Sequence, residues 1–166
     1  MKWKVFWIQI KLKLLFFFIL PLLSKIKFHL IVIDKHKIVA RLPNHRINKN
    51  FYQSIYFGAQ VMKAEALPYI YFYHFFKPVL KDYQIITQSF TSHFYRKTHS
   101  HLYLSIKHNK KQLAQCLERA KHSRGETEDF VINGFCFKNN RAQLACQFFI
   151  KLHIKSLHKG EKLAKK

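Results

Sequence analysis

The sequence predicts an α+β fold in which a curved antiparallel sheet wraps around one long central helix. From Leu67 to Phe76 the chain is apolar or aromatic on every helical face except at Pro68 and His74, which indicates a helix buried on all sides. Two strand-like segments precede this helix. Four more follow it, interrupted by a single surface helix. That order of elements favours a sheet curled around one helix.

Residues 25–157 form the predicted folded domain, and it begins with two strands. Alternating side chains predict strands at Phe28–Asp34 and Lys37–Leu42, joined by a polar turn. The central helix begins near Ser54 to Gly58. We expect Pro68 to kink or divide that helix and Lys77-Pro78 to end it.

The second half of the domain has a clearer pattern. Strands are predicted at 83–95 and 100–107, followed by a surface helix from Asn109 to Arg124 with Gly125 as its C-cap. A hairpin closes the domain. Its last strand alternates an apolar face with a polar one, and the apolar face carries Leu144, Cys146, Phe148, Ile150, Leu152 and Ile154. The basic tail, residues 158–166, is expected to fray.

The composition fits one domain with a substantial core and a very basic surface. The 166 residues are 49% hydrophobic, and 30 Lys and Arg oppose 8 Asp and Glu, for a net charge of +22. Such a surface attracts nucleic acid, anionic lipid or phosphorylated small molecules. The lysines are spread along the chain, as on an ordinary solvated surface. Since no nucleic-acid motif is visible, we expect no nucleic-acid partner.

The cysteines indicate a reducing compartment. A two-residue turn at 139–140 would place Cys136 opposite Gln143 and Cys146 opposite Asn133, so these two cysteines would miss each other. We therefore expect free thiols and a cytoplasmic protein.

Residues 1–24 form a basic and apolar N-terminal segment. Lysines at 2, 4, 11 and 13 precede the apolar run Leu14 to Leu23, as in a signal peptide, but no small-residue cleavage site follows. The run is too short to span a bilayer and contains Pro21. A packed or peripheral helix is favoured over a membrane anchor or a cleaved signal. It would lie against the sheet or on the inner surface of an anionic membrane.

A resemblance rests on the string LPNHRINKNFYQSIYFGAQVMKAEA. From Leu42 to Lys155 the chain resembles the hotdog-fold thioesterase superfamily, in particular the phenylacetate-type branch and related bacterial domains. That branch has an Asn, a His-Gly-Gly turn six residues later, and an acid seven residues after the last Gly. Asn50, the turn Tyr56-Phe57-Gly58 and Glu65 take these places, so the His and one Gly are missing.

The resemblance implies an acyl-CoA thioesterase with Glu65 as general base or nucleophile. A carboxylate two turns into a buried helix can act as a base near neutral pH. Its alternative role is an ion pair with Lys63 or Lys77. The helix start at Tyr56, Phe57 and Gly58 would bind the thioester carbonyl through backbone N–H groups, or Gly58 would serve only close packing.

The resemblance also implies roles for Asn50 and Thr87. Asn50 would orient the attacking water, or else stabilise a turn. Thr87 would support the acid from across a dimer interface, because one subunit offers few polar groups around Glu65. The expected assembly is a homodimer or a dimer of dimers.

Cofactors are not expected beyond the coenzyme A of the substrate. His99 and His101 share a strand face, but no Cys or carboxylate lies near them in sequence, so no metal site is predicted. The competing hypothesis is a non-catalytic hotdog domain that binds acyl chains or docks on an anionic membrane. The missing His-Gly pair favours the binding domain, whereas Glu65 and Asn50 favour the enzyme.

Overall fold

The computed structural model describes residues 2–19 and 21–157, and the predicted basic tail lies outside these ranges. The helices are α1 (Lys2–Ile19), α2 (Pro21–Lys25), α3 (Phe57–Leu80) and α4 (Lys110–Ala120), with a short 3-10 turn at Arg46–Asn48. The strands are β1 (His29–Ile33), β2 (Lys37–Leu42), β3 (Tyr83–Phe94), β4 (Leu102–Lys107), β5 (Glu126–Lys138) and β6 (Arg141–Ser156).

The six strands form one antiparallel sheet in the order β1-β2-β4-β5-β6-β3. The sheet wraps around α3, which contributes Leu67, Ile70, Tyr71 and Phe72 to the core, each at most 2% exposed. The predicted α+β architecture with a buried central helix is confirmed. β1 and β3 lie at the two opposite edges of the sheet.

Helix α3 runs unbroken for 24 residues, so Pro68 does not divide it. Pro68 is buried, and packing against the sheet offsets the backbone hydrogen bond that a proline cannot donate. Pro78 is also internal, and the helix ends at Leu80 instead of at Lys77. Gln60 and Lys63 are polar residues of this helix, and both are nevertheless buried, at 4% and 1% exposure.

The β5–β6 hairpin closes through Asn139 and Asn140, which both have positive φ, at 50° and 58°. Cys136 lies opposite Gln143, as predicted. A bulge between Gly134 and Phe135 then shifts the register, so Cys146 opposes Gly134 and not Asn133. All three cysteines are free and buried.

Helix α4 covers part of β5 and β6 with one apolar face, and its buried residues are Leu113, Cys116, Leu117 and Ala120. Asn109 caps it by accepting a hydrogen bond from the Lys111 backbone N–H at 3.0 Å. The helix ends at Ala120, so the predicted cap at Gly125 was wrong. Gly125 instead has φ 141° in the turn that leads to β5.

Helix α1 packs on the β1 edge, where Val5 and Ile8 contact the core and the Gln9 amide donates to the Phe28 carbonyl at 3.5 Å. Within the described ranges, no helix is both long enough and apolar enough to cross a bilayer.

Candidate active site

Glu65 lies at the centre of a short chain of hydrogen bonds between α3 and β3. The Thr87 hydroxyl donates to Glu65 Oε1 at 2.8 Å, and the Tyr69 hydroxyl oxygen lies 3.0 Å from Thr87 Oγ1. A threonine hydroxyl has one proton, so Tyr69 must be the donor to Thr87. The result is a relay from Tyr69 through Thr87 to the half-buried Glu65 carboxylate.

Desolvation raises the pKa of Tyr69, and the nearby Glu65 charge acts in the same direction. Tyr69 therefore stays protonated at neutral pH and keeps its donor role. The sequence analysis missed this residue. Its signal was the spacing of four from Glu65, which places both side chains on one helical face.

Glu65 does not pair with either lysine named as an alternative partner. The Lys63 ammonium donates to the Leu23 carbonyl at 2.7 Å, on a different side of α3. The Lys77 ammonium lies 5.1 Å from the centre of the Tyr73 ring.

A β-bulge in β3 places Thr87 and Phe90 on the same side of the strand, facing the helix. Thr87 pairs with Leu152 and Ser89 with Lys151, so Gln88 is an extra residue in β3. Before the bulge, the inward side chains include Thr87; after it, they include Phe90. The expectation that Thr87 arrives from a partner subunit was therefore wrong, because Thr87 and Glu65 meet within one chain.

The start of α3 presents backbone donors beside an aromatic cluster. Tyr56 is the N-cap residue, and Phe57 and Gly58 form the first turn, whose N–H groups have no partner within the helix. The Tyr56 ring lies over Gly58, where an added Cβ would meet it at 2.5 Å. Phe57 is 58% exposed, and its ring lies 6.3 Å from that of Phe94.

Asn50 stabilises its own loop. Its side-chain oxygen accepts from the Ser54 backbone N–H at 3.2 Å and from the Ser54 hydroxyl at 3.1 Å. The structure thus shows the turn role for Asn50 and no contact with Glu65.

A cavity of about 300 Å³ adjoins the start of α3 and is lined by Asn50, Phe57 and Gln60, among others. Two buried polar atoms in its lining, Gln60 Oε1 and Thr98 Oγ1, lack a hydrogen-bond partner among the described residues. Unpaired buried polar atoms are costly, so we expect a water molecule or another polar group to contact them. No sequence pattern singles out Thr98 in its loop.

Within one chain the two clusters stay apart. Asn50, Phe57 and the helix start line the cavity, whereas Glu65 lies two helical turns further along α3, where it meets Thr87 of β3. Seven residues separate Gly58 from Glu65, which is about 10 Å along a helix. A single carbonyl group therefore cannot contact both the backbone N–H groups at the helix start and the Glu65 carboxylate of the same chain.

The structure resembles solved thioesterases. A probable thioesterase of unknown function from Pseudomonas aeruginosa superposes with a TM-score of 0.74 at 14% identity, covering 87% of this chain and 93% of that one. A Haemophilus influenzae thioesterase gives 0.62 at 12% identity, covering 83% and 85%. A Staphylococcus aureus thioesterase enzyme, carrying a Gln-to-Ala substitution, gives 0.60 at 12% identity, covering 81% and 98%.

This chain has the hotdog fold. The similarity lies in three-dimensional structure at low sequence identity. No protein-family model matches the sequence, and a search of curated proteins found no match.

Proposed function

We propose that this hotdog protein hydrolyses acyl thioesters such as acyl-CoA, with Glu65 as general base or nucleophile. The observation that carries the proposal is the Tyr69–Thr87–Glu65 relay beside an edge strand. The sequence spacing of Asn50 and Glu65 adds support. These two residues are 15 positions apart, as are the Gln and the Glu that are replaced by Ala in two structures of the S. aureus thioesterase.

The chemistry follows from these groups. As a base, Glu65 takes a proton from water, and the resulting hydroxide attacks the thioester carbonyl carbon. The backbone N–H groups at Phe57 and Gly58 of a second copy of the chain stabilise the oxyanion, and the proton on Glu65 passes to the departing sulfur. As a nucleophile, Glu65 would itself attack the carbonyl carbon and expel the thiolate, and water would then cleave the resulting anhydride and restore the carboxylate. Arg96 and Lys97, in the lining of the cavity at the helix start, suit the phosphates of coenzyme A.

The distance between the helix start and Glu65 favours a homodimeric site. A second copy that pairs along β3 would bring its own helix start toward Glu65. β3 has twelve residues and pairs only with β6 among the described strands, so its other edge is open. Exposed apolar side chains lie on or near this edge: Ile86, Phe94, Tyr56 and Phe57. Pairing would cover them, and two dimers could then associate further.

The test compares acyl-CoA hydrolysis by wild type and Glu65→Gln, with acyl chains of varied length and detection of released thiol. The nearly isosteric change should lower kcat roughly 10²- to 10⁴-fold, because it removes the base or nucleophile. Thr87→Val removes only the supporting donor and should cost about tenfold. Gly58→Val should raise KM by blocking approach to the helix start.

The matched control is Glu118→Gln, which removes an exposed carboxylate on α4 and should leave turnover unchanged. Equal slow turnover by wild type and Glu65→Gln would contradict a catalytic role for this carboxylate.

A second candidate function, acyl or lipid binding at a membrane surface, is favoured by α1. Its outward face carries exposed apolar residues within about 120° of the helix circumference, namely Trp3, Phe6, Trp7, Leu14, Phe17 and Phe18. Exposed Lys11 and Lys13 border this face on either side. Interfacial helices combine such a face with basic borders that reach anionic headgroups.

Both tryptophans of the chain lie in α1, so their fluorescence reports on this helix alone. Vesicles of phosphatidylcholine with about 30% phosphatidylglycerol should shift the emission to shorter wavelength, and about 1 M salt should reverse the shift, because exposed charges are then screened. Phe17→Ser should weaken binding, whereas Phe149→Ser, on β6, should not. An unchanged spectrum would contradict membrane docking.

A further inference from the structure

A cavity of about 490 Å³ lies between the N-terminal helices, β1 and α3. This volume falls within the range of small-molecule sites, roughly 300–1,000 Å³. Its walls are largely apolar and aromatic, with Phe17, Ile26, Phe28 and Leu30 in the lining.

The cavity is separate from the candidate active site. It adjoins β1, at one edge of the sheet, whereas Glu65 contacts β3 at the other edge. Lys63, which lines the cavity, and Glu65 are two residues apart on α3 and therefore point to different sides of the helix.

The cavity has a buried cation in its lining. Lys63 is 1% exposed; its ammonium donates to the Leu23 carbonyl at 2.7 Å and lies 5.0 Å from the centre of the Phe28 ring. Burial lowers the pKa of Lys63 to about 8, which leaves it protonated at neutral pH.

The other ionisable groups of the cavity are basic as well. Lys13 and Lys27 lie exposed in the lining, and the described lining includes no carboxylate. Burial lowers the pKa of His29, which also lines the cavity, and the charges of Arg41, Lys13 and Lys27 lower it further. The electrostatic potential here is therefore positive.

An apolar cavity with a buried ammonium and basic neighbours is complementary to one class of ligand. We infer that this cavity binds a single-chain amphiphile with an anionic head, the chain against Phe17, Ile26 and Phe28 and the head toward Lys63. A carboxylate and a phosphate share this chemistry. Since the site lies apart from Glu65, its occupancy does not depend on hydrolysis there.

The first experiment measures binding by isothermal titration calorimetry with sodium laurate, dodecyl phosphate, dodecanol and dodecyltrimethylammonium. Laurate should bind at least tenfold more tightly than dodecanol. Only the laurate carboxylate carries a charge, and it can accept a charged hydrogen bond from the Lys63 ammonium. The cationic amphiphile should not bind in the cavity. Comparison of laurate with dodecyl phosphate then identifies the preferred head. Equal affinity for laurate and dodecanol would overturn the inference.

Matched variants separate the cavity from the general positive charge of the protein. Lys63→Met should weaken laurate binding at least tenfold, whereas Lys81→Met, which removes one exposed charge after α3, should change it less than twofold. Equal effects would overturn the inference. Ile26→Trp, which fills the cavity and keeps every charge, tests the same site if Lys63→Met does not fold.

Cross-linking locates the site in the unmodified protein. A laurate analogue with a terminal diazirine should label Phe17, Phe28 or their neighbours, as located by mass spectrometry. Glu65→Gln should retain the laurate affinity of the wild type. If labelling occurs at Phe57 and Glu65→Gln alters affinity, laurate occupies the proposed thioesterase site and the inference fails, while the proposed function stands.

Discussion

The side chain of Lys63 is buried where α3 meets the N-terminal helices, and its charge makes stability depend on pH. Burial lowers its pKa from 10.5 to about 8, so the unfolded chain binds more protons than the folded protein between these values. Stability should therefore rise with pH across this window. The shift corresponds to about 3 kcal/mol in the free energy of unfolding.

The measurement is urea unfolding of wild type and Lys63→Met from pH 7.5 to 10.5. The difference in unfolding free energy between these two proteins reports the contribution of Lys63 alone. The tyrosines with raised pKa values, such as Tyr71 at about 12, are present in both proteins. Lys81→Met is the control and should follow the wild-type profile. Parallel profiles for wild type and Lys63→Met would show that Lys63 titrates alike in the folded and unfolded states.

At the level of single residues, the sequence revealed Glu65 and Thr87 but not how they meet. Glu65 stands out as a carboxylate in an apolar helix, and this contrast is visible without a structure. The orientation of Thr87 depends on one extra residue, Gln88, and the strand pattern around it looks the same with or without a bulge. Gln60 and Lys63 are polar residues of α3, yet surrounding elements bury both.

Among the elements, β3 offers the sharpest test because of its bulge. Deleting both Gln88 and Ser89, the two exposed residues of the bulge, would make Thr87 and Phe90 adjacent, so one of these two inward side chains would have to face outward. The expected result is a loss of about 2 kcal/mol or more, since a core side chain or a buried hydrogen bond is lost. Thermal unfolding followed by circular dichroism would detect it as a fall in Tm of several degrees.

The control for the deletion is Gln88→Ala, which keeps the residue count and changes an exposed side chain, so it should alter stability by less than about 0.5 kcal/mol. Equal Tm values for the double deletion and Gln88→Ala would contradict the inward placement of both Thr87 and Phe90.

The elements themselves were largely predictable because the alternation of buried and exposed side chains spans whole strands and helices. Strand β2 and the buried face of α4 agree with the prediction. The ends of α3 and α4 do not. A proline or glycine indicates where a helix can stop, whereas packing decides whether it does.

For the whole molecule, the open β3 edge predicts a dimer despite the net charge of +22 on each chain. Light scattering at micromolar concentration and low salt should give twice the 20.0 kDa mass of the chain. Added salt should strengthen the dimer, because screening weakens the repulsion between two basic chains.

Two variants locate the dimer interface. Ile86→Lys, on β3, should produce monomers, whereas Val131→Lys, an equally charged change on the exposed face of β5, should not. A monomeric wild type at low salt would contradict the dimer. Dissociation by Val131→Lys alone would place the interface elsewhere.

The order in which strands enter the sheet has a consequence for synthesis on the ribosome. β6 is made after the other described strands, yet it lies between β5 and β3 and provides the pairing partner of β3. A nascent chain that has emerged only as far as β5 cannot hold β3 in place, so Thr87 cannot yet support Glu65. The tight turn at Asn139–Asn140 lets β6 fold back onto β5 as soon as it emerges. The candidate active site therefore forms only after β6 has left the ribosome, and a chain truncated before Arg141 would carry every candidate residue without a site.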